Sequence, residues 1–223
     1  MATVLGLLLL LGGCAGGVDL APAPQADTVP TGPGRGAEAV KGGIRIAAFV
    51  DAWSARPEDL NEEVTPIRVR ITNRGDDSIS LRYRDFQLTS QGRTFAAIPP
   101  YDVEGEIVKA IPTFGYPYRG FEVAPYLSPY YHDLTPFAGP FPYDAPYYGR
   151  YYPAALEIEL PTQAMLELAL PEGVLQPGGD VTGFLYFENV GDQVQRLIFR
   201  ATPSNANTGE PIGTLTIPFV TVD

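Results

Sequence analysis

Apolar and polar side chains alternate along most of this chain, the pattern of strands with one buried and one solvated face. The clearest example is the run IRVRIT, in which Ile67, Val69 and Ile71 alternate with polar neighbours. The same period recurs in ISLRY, in DFQLT and in RTFAAI. A polar turn, NRGDD, separates the first two of these runs, and SQG separates the last two. These runs therefore predict successive strands, the last two of which form a hairpin.

The C-terminal third repeats this pattern and adds one helix. In VTGFLYFEN, Leu185 and Phe187 lie on one face and Phe184 and Tyr186 on the other. Further strands are predicted in IRIAAFV at residues 44–50, in QRLIFRA at 195–201 and in a final run from 215 to 219. Pro161 precedes TQAMLELAL, and Pro171 follows it, which predicts a short helix over 162–170. Short strands joined by such turns predict an all-β sandwich.

The N-terminus carries a different signal. An apolar run leads to Leu11, Gly12, Gly13 and Cys14, and Cys14 is the only cysteine of the chain. The run is too short to span a bilayer and has the length of the apolar core of an export signal. Leu11-Gly12-Gly13-Cys14 resembles the lipobox of bacterial lipoproteins. The resemblance implies a signal peptide over residues 1–13, cleavage between Gly13 and Cys14, and a diacylglycerol (with palmitate-like chains) on the Cys14 thiol.

Two other interpretations of the N-terminus stay open. It is an ordinary signal peptide with a chance cysteine, or an apolar helix buried in the fold. No Lys or Arg precedes Leu11, although export signals usually begin with positive charge. Under the lipoprotein interpretation, Ala15 after the cysteine favours the outer membrane, with the protein facing the periplasm.

Residues 14–43 are predicted to be a flexible tether after the lipidated cysteine. They are rich in Gly, Ala and Pro and have few large apolar side chains, so they bury little surface. The folded domain is then predicted to begin at residue 44 and to run to 223. With one cysteine, that domain has no disulfide and depends on its apolar core.

The formal net charge of −11 limits the partners. A nucleic-acid-binding protein needs a basic surface, so no nucleic-acid partner is expected. Anionic headgroups are expected to repel such a chain, which assigns membrane attachment to the lipid anchor alone.

Two segments carry a fold-level resemblance: PIRVRITNRGDDSISLRYRDFQLTSQGRTFAAIPP and VLQPGGDVTGFLYFENV. They are similar to small immunoglobulin-like sandwich modules of exported bacterial proteins. The resemblance implies an immunoglobulin-like antiparallel β-sandwich with one short helix and a long Tyr/Pro-rich loop. Its motifs specify turns and core positions, so it implies no catalytic residue.

An irregular insertion rich in tyrosine and proline is predicted at about residues 103–155. Proline disfavours both helices and central strands there. Tyrosine joins an apolar ring to a polar hydroxyl and suits recognition surfaces, so the insertion contacts a partner or ligand, packs on the sandwich, or is a disordered spacer. The candidate contact residues are Tyr116, Tyr118, Tyr130, Tyr131, Tyr147, Tyr148, Tyr151 and Tyr152.

Candidate chemistry is sparse. His132 is the only histidine, and the chain contains no HExxH, GxSxG or phosphate-binding glycine motif. Asp51, Glu58, Asp59, Glu62 and Glu63 form an acidic stretch whose spacing matches no calcium loop, so a solvated loop is expected. Trp53 next to this stretch is expected to pack in the core or at its rim.

These observations predict a non-catalytic, lipid-anchored protein of the cell envelope that acts as a binding or assembly module. No cofactor, metal or catalytic residue is predicted, and the partner is an envelope protein or glycan. One alternative is a carbohydrate-binding or adhesion protein that uses the tyrosine-rich loop. A weaker alternative is an envelope hydrolase.

Overall fold

The protein is an all-β sandwich in a computed structural model that describes residues 20–24, 26–29, 34–110, 120–128, 134–142, 155–191 and 194–222. Two five-stranded antiparallel sheets form its two layers. In order across the sheet, sheet I contains β1, β15, β13, β7 and β8, and sheet II contains β12, β5, β4, β3 and β2. A three-stranded sheet III contains β11, β6 and β14, and β9 pairs with β10.

The strands are Leu20–Pro22 (β1), Asp27–Val29 (β2), Arg35–Lys41 (β3), Ile44–Val50 (β4), Val64–Asn73 (β5), Ile79–Leu81 (β6), Phe86–Ser90 (β7), Arg93–Ala96 (β8), Glu106–Ala110 (β9), Ala155–Glu159 (β10), Gly173–Leu175 (β11), Asp180–Glu188 (β12), Arg196–Ala201 (β13), Ser204–Asn205 (β14) and Leu215–Thr221 (β15). One α-helix, α1, covers Gln163–Leu168 in the described part of the chain. The same described residues include four 3-10 helices, at Leu60–Glu62, Tyr83–Asp85, Pro100–Asp102 and Pro125–Leu127.

One apolar layer lies between the inner faces of sheets I and II. Alternate residues of each strand point into it, as the period of two requires. From sheet I it contains Leu88, Phe199 and Phe219, all fully buried. From sheet II it contains Ile46, Val69, Ile71, Leu185 and Phe187. The alternation in the sequence therefore identifies the core face of each of these strands correctly.

The predicted strands and the hairpin are confirmed, except that the strand predicted in ISLRY ends at Leu81 and is followed by a 3-10 helix over Tyr83–Asp85. Residue pairs such as Leu88 with Phe95 and Ser90 with Arg93 form the antiparallel hairpin of β7 and β8. The predicted strands at 44–50, 67–72, 195–201 and 215–219 correspond to β4, β5, β13 and β15.

The prediction of a flexible tether over residues 14–43 is wrong for its described part. That part contains β1, β2 and β3, and β3 pairs with β4 along its whole length. Backbone hydrogen bonds do not depend on side-chain size, and small residues suit close packing here. An added Cβ at Gly36 would lie 2.3 Å from the Phe49 ring, so the absence of a side chain lets that ring cover the strand. The sandwich therefore begins by Leu20, which is buried, and not at residue 44.

The predicted helix is confirmed but ends earlier than residue 170. Ala169 forms a parallel bridge with Phe184, and the Leu170 N–H donates to the Phe184 carbonyl at 2.8 Å. The last residues of the segment therefore pair with β12 instead of continuing the helix. An added Cβ at Gly183 would lie 2.4 Å from the Leu170 Cα, so only glycine permits this approach.

The insertion is a second compact unit, over residues 104–162, and is not irregular throughout. Its ends pair as β9 and β10, with Ile107 opposite Ile158. β10 alternates apolar and polar side chains in LEIE, a signal that the proline and tyrosine content before it obscures. Between the two strands, Val123 forms a parallel bridge with Pro136.

Asn73 joins three segments of the sandwich at the NRGDD turn. Its side chain is buried; Nδ2 donates to the carbonyls of Asp77 at 2.8 Å and Leu175 at 3.1 Å, and Oδ1 accepts from the Gly75 N–H at 3.0 Å. Its backbone N–H donates to the Gly179 carbonyl. The turn after β5 is therefore fixed to the β11–β12 connection.

We predict that Asn73→Ala lowers the free energy of unfolding by about 2 kcal/mol, because three backbone groups lose their hydrogen bonds to the buried Asn73 side chain. Urea unfolding followed by circular dichroism measures this change. Asn61→Ala, at an exposed asparagine, is the matched control and is expected to change stability by less than about 0.5 kcal/mol. Equal effects of the two substitutions would contradict the role of Asn73.

Candidate binding site

The site residues predicted from the sequence lie outside the described residues. These are Gly13 and Cys14 at the N-terminus, and Tyr116, Tyr118, Tyr130, Tyr131, Tyr147, Tyr148, Tyr151 and Tyr152 in the insertion. His132 lies outside them as well. The lipidation site and the tyrosine contacts therefore stay predictions.

The sandwich unit contains a cleft of about 200 Å³ beside Trp53, which we call the tryptophan cleft. Two carboxylates line it, those of Asp51 and Glu58, together with the amides of Asn61 and Asn189. The β4–β5 connection supplies Asp51, Trp53, Glu58 and Asn61, and the end of β12 leads into Asn189.

Trp53 is held rigidly at this position. Its ring packs edge-on against Phe184 at 5.1 Å and Tyr186 at 6.3 Å between centroids. Its Nε1 donates to the Pro57 carbonyl at 2.7 Å. Phe184 and Tyr186 project from the face of β12 opposite the central core, where the sequence places them. Trp53 is therefore a packed ring that also lines a cleft, as expected for a residue at the rim of the core.

The carboxylates of the cleft have a defined arrangement. Asp51 adopts a positive φ of 52°, which aspartate tolerates better than most residues, at the end of β4. Its carboxylate forms an ion pair with Arg35 at 3.1 Å. Within the described residues, no three His, Cys, Asp or Glu side chains are arranged to hold a metal ion. The acidic stretch is thus divided between an ion pair, the cleft and solvent-exposed positions such as Glu62 and Glu63.

Two tyrosine hydroxyls secure α1 and the residues after it beside this aromatic group. Tyr186 donates to the Met165 carbonyl at 2.9 Å, and Tyr83 donates to the Leu170 carbonyl at 2.8 Å. Burial raises the pKa of both hydroxyls, and for Tyr83 the nearby Glu172 carboxylate raises it further. Both phenols are therefore held in the neutral, donating form.

The insertion presents aromatic side chains to solvent. Phe141 packs edge-on against Phe137 at 6.3 Å and against Tyr126 at 6.1 Å, and we call these three residues the aromatic cluster. Half of the Phe141 side chain and 38% of Phe137 stay exposed. Phe121 in the same unit is 56% exposed.

Sequence reasoning identified the insertion but favoured its tyrosines over these phenylalanines. The signal was present in FAGPF, where Phe137 and Phe141 stand four residues apart around a Gly-Pro pair. The tryptophan cleft was harder to predict, because Asn189 reaches it from a position far along the chain and donates to the carbonyls of Asn61 and Glu62.

Comparisons with protein-family models, with curated proteins and with solved structures give no match. Within the described residues, no helix has the length and apolar character needed to cross a membrane.

The raised pKa of Tyr186 leads to a prediction about alkaline stability. Because the pKa is near 10 in the unfolded chain and higher in the fold, the neutral phenol stabilises the fold below pH 10, and this contribution is lost as the pH rises above 10. We expect Tyr186→Phe to lower stability at pH 7 by about 1 kcal/mol, through the lost hydrogen bond. Above pH 10 the variant should lose stability less steeply than the native protein.

Urea unfolding between pH 7 and pH 11 measures both effects. Tyr101→Phe, at an exposed tyrosine of the sandwich, is the matched control for loss of a phenol and is expected to change stability at pH 7 by less than about 0.5 kcal/mol. An alkaline slope that is identical in Tyr186→Phe and in the native protein would contradict the assignment.

Proposed function

We propose that this chain is a non-catalytic, lipid-anchored protein of the bacterial cell envelope that acts as a binding or assembly module. Cys14 would carry the lipid, and the sandwich would face the periplasm from the outer membrane. The lipobox-like sequence Leu11-Gly12-Gly13-Cys14 supports the anchor. Cys14 is the only cysteine of the chain, which is consistent with a fold that needs no disulfide.

The exposed aromatic cluster is the observation that carries the binding role. Large apolar rings at the surface lose the free energy that burial would provide, so neighbouring exposed rings mark contact surfaces. These rings are not part of the apolar layer between sheets I and II, which consists of side chains from the sandwich itself. The partner that this surface favours is an envelope protein with a complementary apolar patch.

We predict that the anchor depends on Cys14 alone. Cells supplied with labelled palmitate should incorporate the label into the native protein. Cys14→Ser should abolish labelling and release the protein from the membrane fraction after a high-salt wash, which screens any remaining charge attraction. Ala15→Ser changes the neighbouring residue, keeps the thiol and should preserve both. Absence of label on the native protein would contradict the lipid anchor.

We predict that Phe137→Ser with Phe141→Ser weakens partner binding at least tenfold, because two exposed rings lose their apolar contacts. The measurement is the amount of each envelope protein that co-purifies with the tagged chain. Val40→Ser with Val174→Ser removes two equally exposed apolar side chains from the sandwich unit and is the matched control. Partner recovery that is the same for both double variants would contradict a role for the aromatic cluster.

A carbohydrate-binding or adhesion role is the second candidate, and the tryptophan cleft favours it. A cleft with an aromatic ring, carboxylates and amides is suited to binding a sugar ring, which carries several hydroxyl groups. Retention on insoluble cell-wall glycan, lost in Trp53→Ala, would favour this role over a protein partner. An envelope hydrolase is the weakest candidate, because one of the two carboxylates of the cleft is committed to its ion pair with Arg35.

A further inference from the structure

The strands of sheet I differ from those of sheet II in having no carboxylate to offset their arginines. The five strands of sheet I contain no Asp or Glu, although the chain has 26 such residues. They contain three arginines, Arg93, Arg196 and Arg200. The strands of sheet II carry carboxylates at Asp27, Glu38, Asp180 and Glu188. The net charge of −11 therefore does not describe the local charge at sheet I.

Arg196 and Arg200 lie on the outer face of sheet I, which we call the arginine face. They alternate on β13 with Leu197, Phe199 and Ala201, which are buried in the core. With Ile198 and Arg93 they line an open groove of about 700 Å³, together with the hydroxyl side chains of Thr89 and Thr94. The two arginines are four residues apart on one strand, which separates their Cα atoms by roughly 13 Å.

These arginines have no acidic partner in the described part of the chain. Two arginines of sheet II have such partners: Arg45 pairs with Glu38 at 2.5 Å, and Arg70 pairs with Asp180 at 3.4 Å. The Arg93 guanidinium lies 4.7 Å from the centroid of the Phe95 ring, a cation–π contact that leaves its charge uncompensated. A guanidinium with free donors matches phosphate geometry well.

The start of the fold connects this face to the proposed lipid anchor. β1 belongs to sheet I and begins at Leu20, only six positions after Cys14. Six residues span at most roughly 20 Å. Ala21 pairs with Val220, and Val220 pairs with Arg196, so the strand that leaves the anchor and the first arginine of β13 occupy one row across the sheet.

We propose that the arginine face binds the phosphate headgroups of anionic phospholipids and lays sheet I against the membrane. The inference rests on the proposed lipid anchor, which would supply the proximity. Carboxylates elsewhere on the chain oppose this contact weakly, since charges beyond about 8 Å are screened at physiological salt. An end-on orientation is disfavoured, because Asp51 and Glu58 lie near Leu20 at that end of the sandwich.

The test uses a chain that begins at Ala15, which lacks the lipid and keeps every described strand. We expect it to sediment with vesicles of phosphatidylglycerol and phosphatidylcholine and not with vesicles of phosphatidylcholine alone. Arg196→Gln with Arg200→Gln should lower the partition coefficient about twenty-five-fold, since each arginine near an anionic surface contributes about fivefold. High salt should release the native chain.

Arg70→Gln with Arg74→Gln removes the same charge from the sheet II side and is the matched control, expected to change partitioning less than twofold. Equal losses in the two double variants would overturn the inference. Absence of sedimentation of the native chain with anionic vesicles would also overturn it, and would point to an acidic protein or glycan as the partner of the arginine face. Failure here leaves the palmitate result at Cys14 untouched, so the anchor and the arginine face are judged separately.

Discussion

The apolar layer shared by sheets I and II is the constraint on which the rest of the structure depends. Each sheet buries one face there, with residues such as Phe199 and Ile71, and neither sheet has an alternative way to cover that face. Since no disulfide is available to a chain with one cysteine, this layer supplies the stability of the sandwich. The outer face of sheet I can consequently carry polar and charged side chains, whereas the outer face of sheet II is covered at Phe184 and Tyr186 by Trp53.

Strand positions could be predicted from the sequence wherever a long period-two run places large side chains on one face. β5 and β12 are examples, since Val69 and Leu185 lie on the apolar face of their runs and are buried in the core. β1 to β3 could not be predicted in this way, because their residues are small and their stability comes from backbone pairing and from rings such as Phe49 on neighbouring strands. The tryptophan cleft could not be predicted either, because Asn189 is distant in sequence from the other lining residues and contacts Glu62 only in the folded chain.

The correction at residues 20–41 changes the functional account as well as the fold. A tether of thirty residues would let the domain move far from its anchor, and the orientation of the sandwich would then carry no meaning. Because β1 of sheet I begins at Leu20, only six positions after Cys14, the proposed anchor would hold the sandwich close to the membrane on that side. The distribution of charge over the two sheets then matters more for membrane contact than the net charge does. The aromatic cluster of the insertion would contact a partner protein, and the arginine face would contact the membrane.

Quenching by labelled lipid headgroups tests this orientation most directly. A fluorophore is attached through Thr216→Cys, on the exposed face of sheet I, or through Thr182→Cys, on the exposed face of sheet II, in the full lipidated chain on anionic vesicles. The account predicts strong quenching of the label at position 216 and little at position 182. Equal quenching at the two positions, or stronger quenching at 182, would contradict it.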